Sequence, residues 1–483
     1  MKIKNLLILA TCAAVLLSSM SLGGCSSEEA WDGSPIPSEV LTVPDAVEAD
    51  KPSDGVVQAC KDLLDGAFAA SEPVSPDELT YTQAVSDTGD FITLTGYVGN
   101  RTTVVLPDEI DGVPVTAISE DFSSLPEDAD AGAVNPMHSV VALSIPDSVT
   151  DVGTGALSEC KKLVTLRTPT VTCKDAAYLG ALFGASSYEI NAARVPSTLE
   201  ILIVGGGVES IPDYALYDCR FTCVSLPETV TEIGDFAFYG CQRLVYVNVE
   251  ETAIETIGER AFANCALLLR LDLPETVTEI GFATLEGCAS IERLTLPFVG
   301  GSQTENTYLG YLLGAKAYTL TSGYVPASLA EIVLTDGCTA IPDNAFLECT
   351  SLRRVTIPRG VTSVGRRAFY GCEKLTAVEL PDGVKTIGDD AFHGCIRMTD
   401  VTVGEGLESL GIQAFMRCLS LERVTLPESV TAIPNACFAN CISLETVKAS
   451  GVKSADGVGS EAYRNCEKLV EAPFRDAAAV ENE

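Results

Sequence analysis

The phrase Ala-Phe-x-Gly-Cys stands at Ala368–Cys372 and returns at Ala391–Cys395, 23 residues on. Cysteines recur in this way at positions 160, 219, 241, 265, 288, 349, 372, 395, 418, 441 and 466. The four intervals from Cys349 to Cys441 are all 23; others run from 22 to 25, and two are 59 and 61. Within one unit, Val378 and Leu380 alternate with polar or small neighbours, the period of a strand with one buried face. Pro381 ends that strand, because proline has no N–H for a ladder. Val384–Gly388 reads as a second, shorter extended piece and Asp389–Cys395 as a single helical turn. Gly, Asn or Asp precedes most ladder cysteines, which predicts a positive φ there; Glu159, Glu348 and Arg417 depart from the rule.

One such unit cannot fold alone. It offers about six apolar side chains worth roughly 1.5–3 kcal/mol each when fully buried. Ordering its backbone costs about 1–2 kcal/mol per residue. About fourteen units, counting a degenerate first one at Phe91–Phe122, must therefore share a core as a solenoid of short parallel strands and single turns. Equivalent cysteines then lie above one another and face inward as small hydrophobes. Bridges along that column are not expected, since the ~4.8 Å strand spacing exceeds the ~3.8 Å Cβ separation of a disulfide. Off the column lie Cys60, Cys173, Cys223, Cys338 and Cys437. Cys437 takes the place of the repeat's alanine and should be buried. Cys223 falls on the outward side of its strand, the best candidate for a reactive thiol, although a partly covered inert thiol is the simpler expectation.

The ends read differently. Residues 1–24 carry Lys2 and Lys4, an apolar stretch from Leu6 to Leu17, and then Leu22-Gly23-Gly24-Cys25. This resembles a lipoprotein signal peptide, and the resemblance implies cleavage before Cys25 and its lipidation. Residues 25–80, rich in Ser, Glu, Asp, Pro and Ala, read as a lipidated flexible tether with one short helix carrying Cys60. The repeats occupy 81–470, and 471–483 is a polar tail. Without Lys2 and Lys4 the net charge of −36 becomes −38. Such a chain repels phosphate backbones and anionic headgroups, so nucleic acid is excluded and membrane contact is expected through the lipid alone.

The pattern Val-Thr-x-Ile-Gly-x-x-Ala-Phe-x-x-Cys-x-x-Leu-x-x-Val-x-Leu-Pro resembles the BspA-like leucine-rich repeats of bacterial surface proteins. Val230–Cys241 and Val361–Cys372 are good matches, and Phe91–Ile118 is similar to that family's usual first repeat. The resemblance covers about residues 81–470. It implies a right-handed leucine-rich-repeat-like solenoid with a parallel sheet, and roles in adhesion and protein binding; it supplies no catalytic motif. Two long repeats depart from the rule. Tyr178–Tyr188 corresponds to Tyr308–Tyr318 at an offset of 130, the mark of a duplicated block. Each insert is expected to add a short helix, with Tyr178, Phe183 and Tyr308 packing its own core or, alternatively, forming a ligand platform.

No catalytic signature appears. Two histidines are present: His138 in a loop, and His393 at a variable repeat position that implies a surface or edge site. No cofactor and no metal site is expected. Glu127–Gly132 has hard oxygens around a small turn, as calcium would want, but lacks a downstream bidentate glutamate and reads as a solvated acidic loop. The outward column of the strands carries Tyr246, Arg270, Arg293, Arg354 and Arg423, with Arg353 beside it and Asp400 between. Arginines on one face suit a carboxylated or sulfated ligand, unless Asp272, Glu292 and Glu422 neutralise them across strands. The expectation is a non-catalytic, exported, lipid-anchored protein facing outward from a bacterial membrane. It would bind an extracellular protein of host matrix or another cell, with a glycan as the alternative partner.

Overall fold

The computed structural model describes residues 53–86, 89–125, 132–174 and 176–475, which fall into two compact units, Ser53–Ile291 and Glu292 onward. The signal segment, Cys25, residues 26–52, the acidic residues Glu127, Asp128 and Asp130, and residues 476–483 lie outside the described residues.

The first unit opens with a helix, α1 (Ser53–Gly66), and an antiparallel hairpin, Leu79–Ser86 with Gly89–Tyr97. From there the pairing is mostly parallel. Strands at Thr103–Val105, Ala142–Ser144, Thr165–Thr168, Ile201–Val204, Cys223–Ser225 and Tyr246–Val247 form one ladder. Its register runs Thr103, Ala142, Thr165, Ile201, Cys223, Tyr246. Two-residue strands at Ser210–Ile211, Glu232–Ile233, Thr256–Ile257 and Glu279–Ile280 make a second parallel ladder, the shorter extended piece of each repeat.

The second unit repeats the scheme. Arg293–Leu296, Glu331–Leu334, Arg354–Thr356, Ala377–Leu380 and Asp400–Val403 pair in parallel register, and Arg423–Leu426 pairs with Thr446–Ala449. Ser363–Val364, Thr386–Ile387 and Ser409–Leu410 form the second ladder. Both inserts carry the expected short helices, at Leu179–Phe183 and Asn191–Arg194 and at Leu309–Leu312 and Tyr318–Gly323. Tyr178 and Tyr308 donate their hydroxyls to Ala185 and Ala315 of their own inserts, and Phe183 is buried.

The compact turn before each cysteine has an alternating bond pattern rather than a helical one. In Asn344–Cys349, the N–H groups of Asn344, Phe346 and Glu348 donate to Arg366, Ala368 and Tyr370 of the next repeat. Those of Ala345, Leu347 and Cys349 close i→i−3 turns within the repeat. This alternation requires two left-handed residues per turn. The one before the cysteine is the predicted one, at Asp218, Gly240, Asn264, Gly287, Gly371, Gly394, Asn440 and Asn465. Glu348 (φ 54°) and Arg417 (φ 62°) adopt it too, so the inter-turn bonds outweigh side-chain preference there. The second left-handed residue precedes the Ala-Phe pair and is often bulky, as at Tyr214 (φ 58°), Phe236 (φ 56°) and Arg367 (φ 53°).

The core is a set of columns. Phe346, Phe369, Phe392, Phe415 and Phe438 stack ring on ring at 5.1 to 5.5 Å. The strand spacing of about 4.8 Å sets that separation. The column cysteines are buried thiols, none bridged to another. Each from Cys372 to Cys466 donates its S–H to the carbonyl of the phenylalanine in the preceding repeat, at 3.0 to 3.3 Å. The column thiol is therefore a weak donor as well as a filler. Burial pushes Cys160 and Cys288 up to about 12 and Cys338 up to about 11, and raises Cys395 and Cys418 further. These groups remain thiols at neutral pH.

Candidate functional site

The outward sheet face differs between the two units. In the first unit α1 lies against it. Cys60 on the helix is bridged to Cys223 on the strand, and both are fully buried. Lys61 pairs with Glu250 at 2.9 Å and sits 5.2 Å from the centre of the Tyr246 ring. Tyr246 donates its hydroxyl to Glu250 at 2.8 Å and is 2% exposed. Burial and that carboxylate raise its pKa. Arg270 pairs with Asp54 of the helix. Three expectations are corrected here. Cys223 is a disulfide, not a thiol. Tyr246 and Arg270 are covered rather than displayed. The helix carrying Cys60 is docked, not part of a free tether. An outward-facing cysteine opposite an amphipathic helix that also carries one is the signal that could have shown this.

In the second unit the corresponding face is open along its later strands. Arg354, Thr356, Ala377, Glu379, Asp400, Thr402, Arg423, Thr425 and Lys448 are exposed. Arg293, Glu331 and Arg354 occupy successive positions of one register column, and Arg353 lies beside it, half-buried. Arg354 reaches Glu331 at 3.7 Å with its side chain 65% exposed, and Arg423 reaches Glu445 at 3.7 Å with its side chain 72% exposed. Exposed pairs of this length contribute only about 0–1 kcal/mol. Both guanidinium groups can therefore exchange their partners for a ligand carboxylate at little cost. The structure thus keeps Arg293, Arg353, Arg354 and Arg423 in one unit and separates them from Tyr246 and Arg270 by burial of the latter.

A third feature went unread in the sequence. On the turn side of the first unit, Tyr188, Tyr214 and Phe236 stack in sequence at 4.2 and 5.1 Å, and Tyr217 stacks on Tyr239 at 5.2 Å. Tyr217 and Tyr239 border a groove of about 330 Å³ with Asp218, Gly240, Gln242, Asn264, Ala266 and Gly287. The signal was present as Asp213-Tyr-Ala-Leu-Tyr217 and Asp235-Phe-Ala-Phe-Tyr239, two successive turns with aromatics at both variable positions.

The histidines take structural roles. His138 bonds Glu159 at 2.8 Å. His393 is 8% exposed, not at the surface; it bonds Asp390 at 3.1 Å and lies 4.7 Å from the Tyr370 ring. Burial raises the Asp390 carboxyl, but the bonds from His393 and Arg367 outweigh it and hold its pKa below the ordinary value. Among the described residues, no group of three or more His, Cys, Asp or Glu side chains could hold a metal, and no helix is long and apolar enough to cross a membrane.

The family model described as the BspA type leucine rich repeat region matches residues 197–308, 323–445 and 362–479, more than half the chain. The chain belongs to the BspA type leucine-rich-repeat family. The match is to a repeat fold and to no catalytic family. No curated protein matches the sequence. Among solved structures, this BspA type chain is similar to a leucine-rich repeat protein from Bacteroides ovatus, with 20% identity, 74% of this chain and 96% of that one covered, and a TM-score of 0.34. A leucine rich cell surface protein from Faecalibacterium prausnitzii gives 20% identity, 80% and 97% coverage, and a TM-score of 0.26. The pneumococcal vaccine antigen PcpA gives 17%, 83% and 93%, and 0.31.

Proposed function

We propose that this BspA type chain is a non-catalytic recognition protein, exported and held at a bacterial surface by a lipid on Cys25. It binds an extracellular protein, from host matrix or another cell, through the exposed sheet face of its second unit. The observation that carries this reading is the open face bearing Arg354 and Arg423. Its small residues, Thr356, Ala377, Thr402 and Thr425, are exposed between the charges. A flat sheet offers many contacts to a large partner and no enclosure to a small one. Arginine supplies planar, bidentate donors for partner carboxylates.

The test is binding of the purified chain to a panel of extracellular matrix proteins, with Arg354→Ala/Arg423→Ala beside it. Binding should weaken with rising salt, and the double variant should lose about tenfold in affinity, ~1.4 kcal/mol. Undiminished binding by the double variant would contradict the use of this face.

A further inference from the structure

The turn-side groove of the first unit is a surface of different chemistry. Stacking along the row of Tyr217 and Tyr239 stops at the next repeat, where Ala263 holds the equivalent position. Among the described residues, Tyr239 has its aromatic neighbours, Tyr217 and Phe236, on the preceding turn and its own. A methyl group follows where a third ring would lie. Ala263 is itself buried, and the groove lies beside it, bordered by Tyr239, Gln242, Asn264 and Ala266.

Two close approaches fix the groove's polar groups. A Cβ on Gly287 would collide with the Asn264 side-chain oxygen, and one on Gly240 would meet Asp218 Oδ1 at 3.4 Å. Both glycines also have positive φ, 76° and 75°. They leave the amide and the carboxylate lying along the wall. Among the described residues, the side chains of Asp218, Gln242 and Asn264 make no hydrogen bond to protein. A carboxylate and two amides, all planar, thus line the groove beside the Tyr217 and Tyr239 rings.

We propose that this groove is a binding subsite for one neutral hexopyranose unit of a glycan, seated on Tyr239. The C–H face of a pyranose is weakly positive and matches the negative face of an aromatic ring. Its vicinal hydroxyls match the two-pronged geometry of carboxylate and amide groups. The volume, about 330 Å³, stands at the low end of small-ligand sites, which run from ~300 to ~1,000 Å³. Sialylated and sulfated sugars are disfavoured by Asp218 and by the net charge of −36. The site does not depend on the arginine face, which belongs to the other unit.

The experiment is a glycan array carrying neutral, sialylated and sulfated oligosaccharides, probed with the purified chain and with Tyr239→Ala and Gln242→Ala. Tyr239→Ala keeps the fold, because the repeat already has alanine at this position in Ala263 and Ala439. Circular dichroism of the variant confirms it. Neutral hexose glycans should bind, and each variant should lose about tenfold in apparent affinity. Three results would overturn the proposal: no neutral glycan bound, preference for acidic glycans, or full retention of binding by Tyr239→Ala. Arg354→Ala/Arg423→Ala should leave glycan binding unchanged, and loss of glycan binding in that variant would equally count against this site.

Discussion

At the scale of single residues, the fold depends on side chains whose equivalents in neighbouring repeats touch them. Phe392 stacks at 5.1 Å on Phe369 and at 5.3 Å on Phe415, with interplanar angles of 5° on both sides. Phe392→Ala should therefore cost about 3–5 kcal/mol, read as a shift in urea denaturation. Gly388 shows the opposite constraint. A Cβ there would lie 2.6 Å from Arg366 N and 2.7 Å from Gly365 C, backbone atoms of the preceding turn. Gly388→Ala should destabilise by about 1–3 kcal/mol or more, although it adds only a methyl group. A neutral effect in the same denaturation would mean the repeats stand further apart than described. The phenylalanine and cysteine columns were legible in the sequence because one-dimensional spacing becomes vertical stacking. The left-handed Tyr214 and Phe236 were not, because no residue preference marks them. Only the alternating inter-turn bonds reveal why the backbone must turn there.

At the scale of elements, α1 is the part that periodicity could not place. A helix outside the repeat has no spacing to fix its position. It engages the first unit through Cys60, Lys61 and Asp54, one covalent bond and two charges, and buries Val57. The bridge spans 163 residues, and closing a loop that long contributes about 2–5 kcal/mol. Cys60→Ser should therefore lower stability by that order. It should also speed hydrogen exchange in residues 53–66 and around Tyr246, while exchange in the strands 377–403 stays unchanged. Equal exchange in α1 with and without the bridge would show that the helix docks by its charges and apolar side chains alone. The arginine column was legible because the strand period is two, but its division into a covered part and an open part was not. That division is decided by α1.

At the scale of the whole molecule, function rests on repetition. Each unit buries one continuous set of columns and leaves its outer faces to differ repeat by repeat. A family defined by its core can therefore carry outer faces that its repeat pattern does not fix. The aromatic row and the arginine face are both made at variable positions. The central claim is that the column cysteines of both units look inward as thiols. Iodoacetamide labelling of the native, unreduced chain, read by peptide mass spectrometry, tests it most directly. Cys219, Cys241, Cys265, Cys349, Cys372, Cys395, Cys418 and Cys441 should stay unmodified at pH 8 until denaturant is added, then all react, while Cys60 and Cys223 stay blocked until reductant is added. Prompt labelling of the column in the native chain, or bridges among its members, would contradict the account.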